Sequence, residues 1–276
     1  MIELIDGAEL CTETFGAPGH PPILLIMGMS ASMIWWDDEL CTALAAGGRW
    51  VIRYDHRDTG RSTFYPPGQP GYGSAVLTTD AVAVLDAYGI AAAHLVGLSM
   101  GGAVAQLIAL DDPGRVTSLT LITTRPAVSI GRELPDADPE YGRFWAQAQV
   151  DWSDPESSIQ YLIDHWRVLS GHQRAYDAEY IRRLATRDLA RARNPASAQN
   201  HGQVGVDKRP RGPLASITAP TLVIHGTADP LFALEYGHAL TDEIPGARLL
   251  TLDGAGHGLA PVDFNTVVPA IIRHTM

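Results

Sequence analysis

The chain has 276 residues, 46% hydrophobic and 18% charged, enough for one large domain with a full core or for a domain carrying an insertion. Its net charge of −11 argues against a nucleic-acid partner, and no apolar run approaches the roughly 20 residues that span a membrane. The acidic N-terminus lacks the basic and apolar regions of an export signal, so Cys11 and Cys41 are expected as reduced thiols in a cytoplasmic protein.

Up to Thr124, strand patterns alternate with helix patterns. Strands at 2–4 and 10–15 are predicted to pair as an antiparallel edge on a mainly parallel sheet. Pro22 introduces a strand at 23–27, followed by the loop Gly28-Met29-Ser30. A helix at 36–46, a strand at Trp50–Tyr54, a helix at 75–88 closed by Gly89, and a strand at 94–96 come next. Then follow a helix at 102–110 and a strand at Val116–Ile122. From Leu214 the alternation resumes, with strands at 222–225 and Arg248–Leu252 and helices at 232–241 and 265–274. The expected fold is therefore α/β, a mostly parallel, doubly wound sheet. Residues 1–125 and 213–276 form its core, and 126–212 form an inserted helical cap.

The cap segment has no convincing buried strand and balances its acids against its bases, so the rest of the chain carries the net charge. Helices are predicted around 139–150, Pro155–Leu169 and 177–193. It is rich in aromatics, among them Phe144, Trp145, Trp152, Tyr161, Trp166, Tyr176 and Tyr180. Some must glue the cap to itself and to the core, and others are expected to line an apolar pocket. Arg182, Arg183, Arg187, Arg191 and Arg193, interleaved with Asp177, Glu179 and Asp188, read as a solvated helix face.

The chemistry concentrates at Gly97-Leu98-Ser99-Met100-Gly101, a Gly-x-Ser-x-Gly turn between a strand and a helix. Such an elbow holds the serine hydroxyl clear of the backbone and aims a helix N-terminus at any anion formed there. A serine hydroxyl is a weak nucleophile near neutral pH and needs a base, which in turn needs an orienting carboxylate. Asp229 follows the strand at 222–225, and His257 follows the strand Arg248–Leu252. Both thus lie just past C-terminal strand ends, where open α/β sheets build their sites. The oxyanion donors expected are the N–H groups of Met100 and of Met29, in the loop after the strand at 23–27. His225 and His94 are read as structural. So is the charged run Asp55 to Arg61, expected to tie loops together beneath the site. No His-Glu-x-x-His, Cys-x-x-Cys or Gly-x-x-x-x-Gly-Lys pattern is present, so neither a metal nor a cofactor is expected.

The elbow, the Met27-Gly28-Met29 loop and the Asp and His loops resemble the α/β-hydrolase superfamily over essentially the full length. Three segments more closely resemble bacterial aclacinomycin-type methylesterases, which cleave a methyl ester from anthracycline polyketides. They are Arg53 to Ser62, His94 to Gly101, and the cap fragment Trp166-Arg167-Val168-Leu169-Ser170-Gly171. The resemblance implies Ser99, Asp229 and His257 as a triad and Met29 and Met100 as oxyanion donors. It also implies a small-molecule ester substrate. The leading reading is a cofactor-free serine esterase working through an acyl-enzyme, with the methyl ester of a polycyclic or aromatic natural product as the implied substrate. Perhydrolysis of the non-haem haloperoxidase kind and C–C bond hydrolysis use the same triad and stay open. A ligand-binding receptor on this fold is disfavoured by a complete triad. The oligomeric state is not legible.

Overall fold

Short, nearly continuous apolar runs make most of the seven strands that hydrogen-bond into one sheet with both faces covered. The computed structural model describes residues 1–4, 6–205 and 207–276; Ile5, in the acidic N-terminal stretch, and Val206, in the 126–212 segment, lie outside the described residues. In chain order the strands are β1 (Ile2–Glu3), β2 (Glu9–Leu10), β3 (Thr12–Phe15), β4 (Pro22–Ile26), β5 (Trp50–Tyr54), β6 (Ala93–Leu98), β7 (Val116–Ile122), β8 (Thr221–Gly226) and β9 (Arg248–Leu252). The main sheet runs β3-β5-β4-β6-β7-β8-β9, parallel throughout except for β3, which pairs antiparallel with β5.

The expected antiparallel edge is thus supplied by β3 alone. The first strand does not join it but pairs with β2 in a separate two-stranded ribbon. The break falls at Cys11. Its N–H donates to Ser62 Oγ at 2.9 Å, and its carbonyl accepts from Asp55 N at 2.9 Å.

Side chains alternate across the sheet as the pleat requires. Leu24, Ile26, Leu95, Leu119 and Val223 face a core shared with α2 (Ala75–Ala87), α3 (Met100–Asp111) and α7 (Leu234–Glu243). Ile23, Leu25, Val51, Val96 and Ile224 face a second core closed by α1 (Asp38–Ala46) and α8 (Phe264–His274). Helix α1 begins two residues later than the apolar pattern suggests, because the Asp37 carboxylate caps it, accepting from Glu39 N at 2.7 Å. Gly89, at φ +68°, ends α2 in the left-handed conformation that a glycine takes without strain.

Between β7 and β8 the described residues hold no strand. They hold α4 (Pro139–Gln147), α5 (Pro155–Leu169), α6 (Ala178–Arg191) and a run of 3₁₀ turns over Pro195–Gln203. Each of the three helices starts on an aspartate cap, Asp138, Asp154 and Asp177, and the first two place a proline at the first helical position. Ile159 and Ile163 of α5 pack on Ile181 and Ala185 of α6.

The predicted solvated face of α6 needs correction. Arg182 and Arg187 do form surface pairs, with Glu156 at 2.6 Å and Asp38 at 2.8 Å. Arg191, however, is nearly buried and grips Asp55 with both Nη atoms, at 3.1 and 2.9 Å. Asp188 is buried as well, accepting from Ser32 Oγ at 2.5 Å and Trp35 Nε1 at 2.8 Å. Sequence spacing shows which residues share a helix face; it does not show that this face lies against the core.

Asp55 is the centre of the charged run after β5. Besides Arg191 it accepts from Met33 N and Arg61 N, both at 2.9 Å. Arg57 makes a two-pronged pair with Asp80 at 2.8 Å for each contact, and a further one with Asp6 at 2.7 Å. His56, fully buried, bonds the Met27 carbonyl through Nε2 at 3.0 Å.

Two outcomes follow from this loop. Asp55→Ala leaves the Arg191 guanidinium buried without its partner and costs about 3–5 kcal/mol in urea unfolding, with Arg191→Met in the same chain restoring part of the loss. Burial, and then the neighbouring His201, push the pKa of His56 from 6.5 down to about 3. The folded chain thus keeps this ring neutral while the unfolded chain protonates. Its contribution to stability is whole above pH 6.5 and is lost as pH falls from there toward 3. Thermal melts at about pH 7.5, above that range, and about pH 4.5, within it, should give the lower Tm in acid, and His56→Gln should narrow the gap.

Candidate active site

The backbone between β6 and α3 is compressed. Ser99 sits at φ 54°, ψ −118°, a conformation that costs about 1–3 kcal/mol for a residue with a side chain. Two glycines make the turn feasible. A Cβ on Gly97 would strike the Gly101 carbonyl, and a Cβ on Gly101 would strike the Ile26 carbonyl at the end of β4. The first turn of α3 therefore lies directly on β4. The Ser99 backbone is held from three sides: its N–H donates to Ile122 O at 2.9 Å, and its carbonyl accepts from Gly102 N at 2.9 Å and Thr124 Oγ1 at 2.6 Å. Its hydroxyl makes no hydrogen bond among the described residues.

Asp229 and His257 arrive on two loops laced to each other. Thr227 N donates to Leu252 O at 3.0 Å, Ala228 N to Ala255 O at 2.9 Å, and Gly254 N to Thr227 Oγ1 at 2.7 Å. Asp229 Oδ1 accepts from the N–H groups of Leu231 and Phe232 at 2.8 and 2.9 Å, which fixes the carboxylate plane. Its Oδ2 meets His257 Nδ1 at 2.9 Å, with both residues buried. An aspartate acceptor places the imidazole proton on Nδ1 and leaves Nε2 as the unprotonated nitrogen. The His257 N–H donates to Leu169 O at 2.7 Å, so the histidine backbone is tied to the end of α5.

His225 lies against this pair, with Nε2 3.6 Å from Asp229 Oδ2, but it bonds the Phe232 carbonyl at 2.7 Å. Burial holds its pKa low. It packs behind the carboxylate as a neutral ring. His94 lies away from the cavity, bonded through Nδ1 to Ser118 Oγ at 2.8 Å.

Ser99, His257, Gly28 and Met29 line one narrow cavity of about 80 Å³. Among the described residues the N–H groups of Met29 and Met100 have no acceptor in the protein. Of the seven aromatics singled out in the sequence, Trp145, Trp152, Tyr161 and Trp166 line the cavity. Phe144, Tyr176 and Tyr180 do not; the Tyr176 hydroxyl bonds Ile163 O, and that of Tyr180 bonds Asp37 Oδ2. Among the lining residues that the sequence did not mark for the cavity are Trp35, Tyr141, His165 and Asp188. The tryptophan pair Trp35-Trp36, just past the Met29 loop, was the one available signal. His165 stacks on Phe144 with ring centroids 5.5 Å apart, and desolvation, with His257 nearby, lowers its pKa to about 4. It therefore stays neutral near pH 7. Among the described residues no group of three His, Cys, Asp or Glu side chains is placed to hold a metal ion.

Comparison with known proteins agrees with this architecture. The alpha/beta hydrolase fold family matches residues 21–263. Rhodomycin D methylesterase DauP of Streptomyces sp. (strain C5) is 35% identical over 98% of this chain and 96% of its own length. Rhodomycin D methylesterase DnrP of Streptomyces peucetius is 33% identical over the same shares. A solved hydrolase from Pseudomonas aeruginosa superposes with a TM-score of 0.70 at 28% identity, covering 99% of this chain and 95% of that one. The serine turn, the parallel sheet and a match across most of the sequence place this chain in the alpha/beta hydrolase fold family.

Proposed function

We propose that this hydrolase cleaves carboxylic esters through an acyl-enzyme on Ser99, with His257 as general base, Asp229 as its orienting carboxylate, and the Met29 and Met100 amides as the oxyanion hole. The observation that carries the reading is the 2.9 Å Asp229–His257 contact, which leaves Nε2 free in the cavity that Ser99 lines. In the first step Nε2 takes the Ser99 proton as Oγ attacks the ester carbonyl. The two N–H groups without a protein acceptor stabilise the oxygen as it gains charge. His257 then gives the proton to the departing alcohol. Water, deprotonated by the same nitrogen, releases the acid and restores Ser99.

The helices between β7 and β8 act as a cap over this site, and the methylesterase relatives favour the methyl ester of a polycyclic or aromatic acid as substrate. The cavity is tight, about 80 Å³ against the roughly 300–1,000 Å³ usual for ligand pockets. A ring system therefore enters with movement at the mouth, where Trp145 is 38% exposed. Its remote rings stack on the cap aromatics, and that binding energy goes into holding the carbonyl against Ser99. Among the described residues no helix is long and apolar enough to cross a membrane. The unpaired Cys11 and Cys41 thiols fit a cytoplasmic enzyme.

Ser99→Ala should remove ester turnover, by about 10⁴-fold or more, and abolish labelling by a fluorophosphonate, with circular dichroism unchanged. Asp229→Asn should cost somewhat less, because the amide no longer stabilises the imidazolium. Labelling at another serine, or an Asp229→Asn enzyme of normal rate, defeats the assignment.

A second measurement addresses the substrate. Methyl esters of polycyclic carboxylic acids should show a higher kcat/KM than p-nitrophenyl acetate after correction for leaving-group reactivity, and added chelator should not change the order. A preference for short acyl chains with no gain from aromatic bulk counts against the polycyclic substrate alone.

A further inference from the structure

Behind the cavity over Ser99 lies a second, smaller void of about 30 Å³. The two share four walls: Met27, Trp35, Leu98 and Trp166. The indoles of Trp35 and Trp166 stack between them, with centroids 4.6 Å apart and planes 22° from parallel. The remaining lining of the far void is mostly apolar, with Leu40, Leu184, Leu259 and Phe264 among it.

The stack is held in place from both sides. Trp35 Nε1 donates to the buried Asp188 carboxylate of α6 at 2.8 Å, and Ser32 Oγ donates to the other carboxylate oxygen. Trp166 of α5 rests on the residue after His257: a Cβ on Gly258 would come within 3.1 Å of its ring, and Gly258 takes φ +123°. Packed interiors hold few voids larger than a water molecule, since each forfeits dispersion contacts along its lining. A void next to a reaction cavity, parted from it by two clamped rings, is a pocket that continues beyond a stop.

Which part of the ester meets that stop follows from the chemistry. The alcohol must depart, and water must take its place beside His257. Only the acyl group stays fixed to Ser99 between the two steps, so it is the part that rests against the Trp35–Trp166 stack while water replaces the alcohol.

We propose that the Trp35–Trp166 stack is the floor of the acyl pocket and sets how far an acyl group reaches, with the void behind it as the unused continuation. This rests on the ester-hydrolase reading above.

The test compares methyl octanoate with methyl acetate. In Trp35→Ala, and likewise in Trp166→Ala, the ratio of their kcat/KM values should rise about tenfold or more over wild type, the gain expected from burying two further methylenes. Trp152→Ala enlarges the first cavity alone, because Trp152 does not line the second; it should move the ratio less than about threefold on the same scale. Trp35→Phe, a smaller change with less risk to folding, should move it in the same direction by a smaller factor. An unchanged ratio in a Trp35 variant that still cleaves methyl acetate overturns the proposal, and so does an equal rise in Trp152→Ala.

A binding measurement separates failure of this proposal from failure of the esterase reading. In the Ser99→Ala background, calorimetry with octanoate and acetate should show Trp35→Ala tightening octanoate about tenfold and leaving acetate as it was. If no ester is cleaved by any form, the reaction assigned above is wrong, and octanoate binding alone decides whether the stack is a floor. No gain for octanoate then refutes it.

Discussion

The first turn of α3 is pressed between Gly97 of β6 and the last residue of β4 so closely that neither Gly97 nor Gly101 has space for a side chain. Much of the site descends from that contact. It forces Ser99 into its strained conformation, and it brings the loop after β4, with Gly28 and Met29, beside the serine. Parallel strand order does the rest. With β7, β8 and β9 laid successively on the β6 side, the loops bearing Asp229 and His257 emerge at the same edge of the sheet. Their interlaced backbone hydrogen bonds, with the bond from His257 N–H to the end of α5, set the Asp229–His257 distance.

The helices between β7 and β8 are joined to the core by polar contacts as well as by the Trp35–Trp166 stack. Asp55 receives Arg191, Asp188 receives Ser32 and Trp35, Asp37 receives the Tyr180 hydroxyl, and Asp263 receives Arg174. A seam of this kind is directional. Apolar surfaces tolerate sliding, whereas a buried carboxylate with assigned donors admits one register. The aromatic residues lining the cavity are thereby held at fixed heights over Ser99, although most of them sit on helices distant in sequence from it.

Much of this was legible in the chain. The strands were visible because buried parallel strands are unbroken apolar runs, and the elbow because glycines mark its close approach. Asp229 and His257 stood out through their placement after strands, and the structure joins them by a hydrogen bond. Less legible was everything that depends on which way a charged helix faces. Arg191 and Asp188 look like solvent residues in sequence, since an alternation of acids and bases is the same whether it meets water or a complementary buried set. The first strand was misplaced for a related reason: two residues of β-pattern do not say which sheet will take them. Trp35 became a cavity wall only once α5 and α6 had been laid across it.

The hydrogen bond from His257 N–H to the Leu169 carbonyl joins the proposed general base to the last turn of α5. A ligand that wedges α5 away drags the imidazole with it. Poor fit is then registered as misalignment of the proton acceptor after the ligand has already bound. An ester that displaces α5 would then be penalised on the chemical step as well as on occupancy. The covering helices thus serve as a gauge whose reading is delivered to the base itself.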